Sequence, residues 1–314
     1  MLKVIFNIKE GEAKTELSRI IFEKYQIRKS KNQKTEFINL LKEHMPVNIQ
    51  TGGLLKSRNI IVGDVEKADV VFTAHYDTCA VMPFPNFITP KNVAFYLIYS
   101  VLICIPLFLI TAVLNALLGF VTTNFWVHYI LSLIVLGGFV YLLMAGPANK
   151  HTANDNTSGV IALCEIYSKL NDEQKQKVAL VFFDNEEIGL VGSSLFKKQY
   201  GKIMSNKLLV NFDCVSDGDN ILVSVSKAAQ QQYMDKIGTA FAAQDKKIMV
   251  EKGEKVFYPS DQAHFKKNVA VAALKHKKFI GYYMDRIHTP KDTVFDERNI
   301  ELLSDGAVKL ADMI

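Results

Sequence analysis

From Asn92 through Asn149, 58 consecutive residues, the chain has no Asp, Glu, Lys or Arg. Its 69 charges therefore fall in the other 256 positions, at a density of ~27%, close to the roughly 25% of ordinary globular domains. Low-complexity tracts are also missing, and 49% hydrophobic residues over 314 positions exclude an intrinsically disordered chain. The net charge is only +5 and no basic cluster is present, which leaves little to neutralise phosphates and excludes a dedicated nucleic-acid binder. The four cysteines, Cys79, Cys104, Cys164 and Cys214, form no CxxC pair. They are too sparse for a disulfide framework and suit a reducing compartment. The N-terminal stretch MLKVIFNIKEGEAK meets Glu10 before any apolar core of useful length, so no secretory signal is expected.

The uncharged block holds two apolar runs, one of 28 residues (93–120) whose only strongly polar member is Asn115, and one of 21 (125–145). About 20 apolar residues suffice to cross the hydrocarbon layer, so each run predicts a transmembrane helix and the pair predicts a hairpin. Pro106 is tolerable within such a helix, and His128 reads as an interfacial residue rather than a ligand. Two spans return the chain to the side it left. Lys91 and Lys150 flank the hairpin there while the connector is uncharged, a bias that favours the cytoplasm. The chain then divides into an N-terminal part (1–91), the hairpin (92–149) and a C-terminal part (150–314), the outer two forming one interrupted domain.

Apolar periodicity predicts helices over 12–25 and 34–43, then short strands over 59–62 and 69–74. Beyond the hairpin, helices over 158–170, 190–200 and 228–243 alternate with strand-like segments at 177–183, 207–212, 220–226 and 269–274. A final helix starts near Asp296. This alternation predicts an α/β fold: a mixed, mainly parallel central sheet flanked by helices on both faces.

Ligands in such sheets collect at the carboxyl ends of strands, and five segments deliver a histidine or an acid there. His75-Tyr76-Asp77 continues one strand, Asp184-Asn185-Glu186-Glu187 follows VALVFF, and Asp213 follows LLVNF. Asp155 sits in the turn before the helix at Ser158-Gly159, and His288 precedes the last helix. Each feature alone is an ordinary surface pair or helix cap. Together, two histidines and three carboxylates form a nitrogen and oxygen donor set that suits zinc, with cobalt or manganese accepted by the same atoms. One carboxylate can bridge two ions, and an acid beside their shared water can carry the proton to a leaving amine. Adjacent Glu186 and Glu187 can divide the tasks of base and ligand. Asp77 can accept the second ring N–H of His75.

The motifs HYDT (75–78), ANDNTSGV (153–160), FFDNEEIGLVGS (182–193), NFD (211–213), SDQAHF (260–265) and HTPKDT (288–293) resemble, in order, those of the zinc aminopeptidases of family twenty-eight of the metallopeptidases, clan MH. The resemblance covers residues 55–91 and 150–314 and implies a zinc-exopeptidase-like fold. It implies one zinc on His75 and Asp213, a second on Glu187 and His288, and Asp155 as the bridge. Glu186 would be the general acid/base, Asp77 the residue orienting the histidine, and a peptide the substrate.

Asn156 stands where the family usually has a second Asp, Gln262 stands where SDH is common, and the hairpin is foreign to the soluble pattern. Asp261 is a candidate substrate contact. Tyr283, with Tyr282 beside it, is the candidate donor to the developing oxyanion. These features predict a membrane-anchored dizinc aminopeptidase. Relatives resembling this fold that cyclise N-terminal glutamine on a single zinc provide the alternative enzyme, and a non-catalytic membrane scaffold the alternative from another class.

Overall fold

The computed structural model describes residues 15–314. Helix α1 (Glu16–Lys24) covers the described part of the first expected helix, whose residues 12–14 lie outside the described chain. Helix α2 (Lys31–His44) begins three residues earlier than its apolar period suggests, because Ser30 and Gln33 close a capping box ahead of it.

Among the described residues, nine strands form one sheet: β1 (Val47–Gly52), β2 (Ser57–Val62), β3 (Val70–His75), β4 (Val178–Phe183), β5 (Leu208–Phe212), β6 (Asn220–Val225), β7 (Lys247–Lys252), β8 (Asn268–Lys277) and β9 (Gly281–Tyr283). Their order is β1-β2-β4-β3-β5-β8-β6-β7, with β9 on β8. The centre, β4-β3-β5-β8, is parallel, while β2 and β6 join it antiparallel. The mixed, mainly parallel α/β sheet is therefore as expected.

Alternation along the central strands explains how both faces are covered. In β4, Val178, Leu180 and Phe182 join the larger apolar core, while Ala179, Val181 and Phe183 join the smaller one. Side chains alternate across a strand with period two, so a continuous apolar run is what a strand buried on both faces requires. The larger core packs α1, α2, α5 (Gly159–Lys169), α8 (Lys227–Ala240) and α9 (Glu297–Met313) on one face. On the other face α7 (Val191–Met204) presents Phe196 and Met204. Short α6 (Asp172–Lys177), held by a capping box between Asn171 and Gln174, leads into β4.

Helices α3 (Val93–Gly119) and α4 (Phe125–Ala145) stand apart. Neither has a buried residue, and the most apolar stretch of each is left uncovered by the rest of the chain. At ~1.5 Å per residue both reach the ~30 Å of a hydrocarbon layer, so by length and composition each is able to cross a membrane. Their facing sides are tied by polar groups: Asn115 donates to Ser132 Oγ at 3.1 Å, and His128 pairs with Asn115 Oδ1 at 2.8 Å and the Thr122 carbonyl at 2.9 Å. His128 is thus engaged within the hairpin. The roots of the pair are stitched to the sheet domain. Val81 N–H donates to Pro147, Asn149 N–H donates to Cys79, and Lys29 Nζ donates to the Met144 carbonyl.

Candidate metal centre

Parallel register places the candidate ligands together. His75, the last residue of β3, is level with Phe183 of β4, and Thr73 is level with Asn211 of β5. The chain beyond each strand therefore emerges at one edge, where it delivers His75, Glu186 with Glu187, and Asp213. Three non-glycine residues here take left-handed backbone angles: Asn185 (φ 57°), Cys214 (φ 57°) and His288 (φ 61°). Such conformations cost energy and concentrate at functional sites.

The loop carrying Asp155 is held from two sides. The Asp292 carboxylate accepts the N–H groups of Asn154 (2.8 Å) and Asp155 (2.9 Å). Asn156, where an Asp is usual, donates from Nδ2 to the Phe212 carbonyl at 3.0 Å and accepts at Oδ1 from Gly159 (3.0 Å) and Cys214 (3.2 Å). A carboxamide gives and takes in this way at any pH, whereas an ionised carboxylate only accepts. The crowding also fixes Gly159, whose added Cβ would lie 2.3 Å from the Phe212 carbonyl oxygen.

All five expected ligands converge. His75 Nε2 is 3.2 Å from Asp155 Oδ1 and 3.5 Å from Asp213 Oδ1, and His288 Nε2 is 3.0 Å from Asp155 Oδ2 and 3.2 Å from Glu187 Oε2. The two oxygens of Asp155 thus face two different imidazoles, as a bridging carboxylate requires. His75 Nδ1 lies 3.2 Å from the Asp77 backbone carbonyl, which can only accept, so this nitrogen carries the proton. With its proton on Nδ1, neutral His75 turns the Nε2 lone pair toward the carboxylates of Asp155 and Asp213, an arrangement that either a second proton or a metal ion on Nε2 makes attractive.

The charges around the two imidazoles are mutually dependent. Burial works against the His75 imidazolium, but Glu186, Asp155 and Asp213 overrule it and raise the pKa well above its ordinary value. Burial likewise opposes His288, and Glu187 with Asp155 lifts it to about 9. Burial pushes Glu187 up to about 8 against the pull of His288. Its Oε1 is buried without a hydrogen-bond partner, which is what a missing positive partner leaves behind. A divalent ion on the nitrogen and oxygen set of His75, Asp155 and Asp213, and another on Asp155, Glu187 and His288, would answer these facts.

Glu186 and Asp77 complete the arrangement. Burial drives the Glu186 pKa well above the carboxylate range. Asp77 faces His75 with its carboxylate 3.7 Å from Nδ1, and the same carboxylate accepts the N–H groups of Glu186 (3.0 Å) and Glu187 (3.3 Å). A cavity of about 200 Å³ opens above His75, Asp155, Glu186, Asp213 and His288. Its walls include Tyr96 from the first turn of α3, Phe257 and Tyr258, and the Tyr258 hydroxyl donates to the Asp213 carbonyl at 3.2 Å.

The residues expected to contact substrate do not line this cavity. Tyr283 stacks on Phe87 with Lys275 over its ring, Tyr282 is held by Lys247, and neither lines the cavity. Both belong to edge strand β9, which hangs from β8 off the main path of the sheet. Asp261 is fully buried and also absent from the lining; burial pushes its pKa to about 7 against His75. Gln262 shapes the wall indirectly, donating to the Tyr258 carbonyl at 2.6 Å while accepting from Asn211. No motif marks Tyr96, Phe257 or Tyr258; they meet only through the fold.

Comparison with known proteins bears on the family and the fold. The sequence model of peptidase family M28 matches residues 138–309. Among solved structures, the chain is similar to the LapA aminopeptidase of Legionella pneumophila (14% identity, TM-score 0.54, 94% of this chain and 69% of that one). It is similar also to a glutaminyl cyclase of Porphyromonas gingivalis (14% identity, TM-score 0.56, 95% of each chain). A Zn-dependent exopeptidase of Parabacteroides distasonis gives 12% identity and a TM-score of 0.56 over 96% of this chain and 98% of that one. At such identities the likeness shows the fold. No curated protein matches the sequence. The family model spans more than half of the chain, from the end of α4 to α9, and this chain belongs to peptidase family M28.

Proposed function

We propose that the protein is a membrane-anchored aminopeptidase that removes N-terminal residues from peptides at a two-zinc centre. The observation that carries this reading is the pair of opposed imidazoles, His75 and His288, on the two oxygens of Asp155. His75 and Asp213 would hold one ion, Glu187 and His288 the other, and Asp155 would serve both; cobalt or manganese suits the same donors. When bound, such ions lower the pKa of a shared water and polarise the scissile carbonyl. Glu186, which lines the cavity, would be the group that accepts a proton there and returns it to a leaving amine. Asp77 holds the backbone of Glu186 and Glu187 and keeps His75 in register. A cavity of about 200 Å³ is below the ~300–1,000 Å³ of larger ligand sites and favours recognition of a single terminal residue.

In the membrane, α3 and α4 form a two-span hairpin, and residues 1–91 and 150–314 make one catalytic domain on the cytoplasmic side, supported by Lys91 and Lys150 at the roots. Tyr96 lines the cavity from the first turn of α3, so the mouth faces the bilayer surface.

A second reading is transfer chemistry of the glutaminyl-cyclase kind, favoured by the Porphyromonas gingivalis neighbour. Digestion of a peptide library by the zinc-loaded full chain, read by mass spectrometry, separates the two. Shortening by one residue supports the aminopeptidase. Loss of ammonia from N-terminal glutamine alone would replace it with the cyclase.

A further inference from the structure

Three of the four cysteines fall outside the candidate ligand groups among the described residues. Cys164 lies in the large apolar core, Cys214 packs beside Leu222 and Met249 with its Sγ 3.2 Å from Asp213 Oδ1, and Cys104 lies on α3. Cys79 differs. It is 1% exposed yet belongs to none of the apolar clusters among the described residues. Its Sγ instead faces Asp155, Glu187 and His288, and one donor atom from each of the four lies within 4.8 Å of the others. Its backbone is pinned there by Asn149, whose N–H donates to the Cys79 carbonyl at 3.1 Å.

We propose that Cys79 is a fourth protein ligand, as a thiolate, at the metal position of Asp155, Glu187 and His288. This rests on the two-metal reading above. A second observation points to the same place: Glu187, with a side chain 5% exposed, sets its Oε2 3.2 Å from His288 Nε2 and leaves its Oε1 buried and unpartnered. Three protein donors leave a zinc position for water or substrate, and zinc also accepts five donors. The two positions would therefore be unequal. With Cys79 as well as Asp155, Glu187 and His288, the position at Glu187 would retain its ion more strongly than the one at His75 and Asp213, and a fifth place would stay for the shared water on the side where Asp155 and His288 line the cavity. On binding, the S–H bond breaks, a sulfur–metal bond forms and the proton leaves to solvent, with no change of oxidation state. A soft thiolate also biases this position toward zinc over manganese.

The test is the near-ultraviolet absorption of the full chain, in detergent, loaded with cobalt(II). A thiolate-to-cobalt charge-transfer band is expected, lost in Cys79→Ser and kept in Cys214→Ser. The wild type loaded with cadmium-113 provides the same reading without any variant, through a resonance shifted downfield by sulfur. Bound cobalt without the band, or a band that survives Cys79→Ser, would overturn the proposal and leave the two-metal reading standing. Failure of the wild type to bind cobalt or cadmium at all would overturn both.

Discussion

The carboxylate of Asp77 accepts the backbone N–H of Glu186 at 3.0 Å, and its second oxygen takes that of Glu187 at 3.3 Å. One side chain at the end of β3 thereby sets the start of the loop that follows β4, and with it the separation between the proposed base and the proposed ligand beside it. Asp77→Asn keeps the shape but leaves one acceptor oxygen where two are used. Its peptidase activity is expected to fall by ~10–100-fold, the usual cost of losing such support, while far-ultraviolet circular dichroism stays that of the wild type. Steady-state kinetics on a single peptide checks this.

Asn156→Asp restores the residue common in the family, yet it is expected to destabilise this chain. The aspartate keeps the acceptor for Gly159 and Cys214 but sets an oxygen against the Phe212 carbonyl in place of a donor. An unmet buried carbonyl costs ~1–3 kcal/mol. Thermal unfolding is expected to show a lower Tm, and an unchanged Tm would count against the described role of the carboxamide.

Removal of metal is expected to weaken the fold. Asp155, Glu186, Glu187 and Asp213 crowd one edge of the sheet around two imidazoles, and a cation that binds only the native state adds about 2.7 kcal/mol at a hundredfold excess over its Kd. Chelation followed by scanning calorimetry should lower Tm by about 5 °C or more, and added zinc should restore it.

Much of this centre was legible because parallel strands end together: once VALVFF and LLVNF read as buried strands, Glu186, Glu187, Asp213 and His75 had to share an edge. The unforeseen elements are those that burial does not mark. Strands β1, β7 and β9 border the sheet or hang from β8, half-exposed and mixed in polarity, and α6 is six polar residues held by a cap. Neither carries an apolar period. The cavity walls were illegible for another reason, since Tyr96, Phe257 and Tyr258 come from segments about 160 positions apart. Cys79 gave no signal because it lies outside any strand or helix, where spacing says nothing of direction.

If the mouth lies at the bilayer, lipid-anchored peptides should be favoured. With the protein in vesicles, a peptide carrying an acyl chain at its C-terminus is expected to show a lower KM than its soluble counterpart, with similar kcat. Equal KM values would separate the hairpin from substrate choice.

The account stands most directly on Glu186. Release of N-terminal amino acids from a mixed peptide substrate should be measured for the zinc-loaded wild type and for Glu186→Gln at matched metal content. The expected result is release by the wild type and a loss of ~10²–10⁴-fold in the variant with its metal retained. Equal release by both, or none by the zinc-loaded wild type, would contradict it.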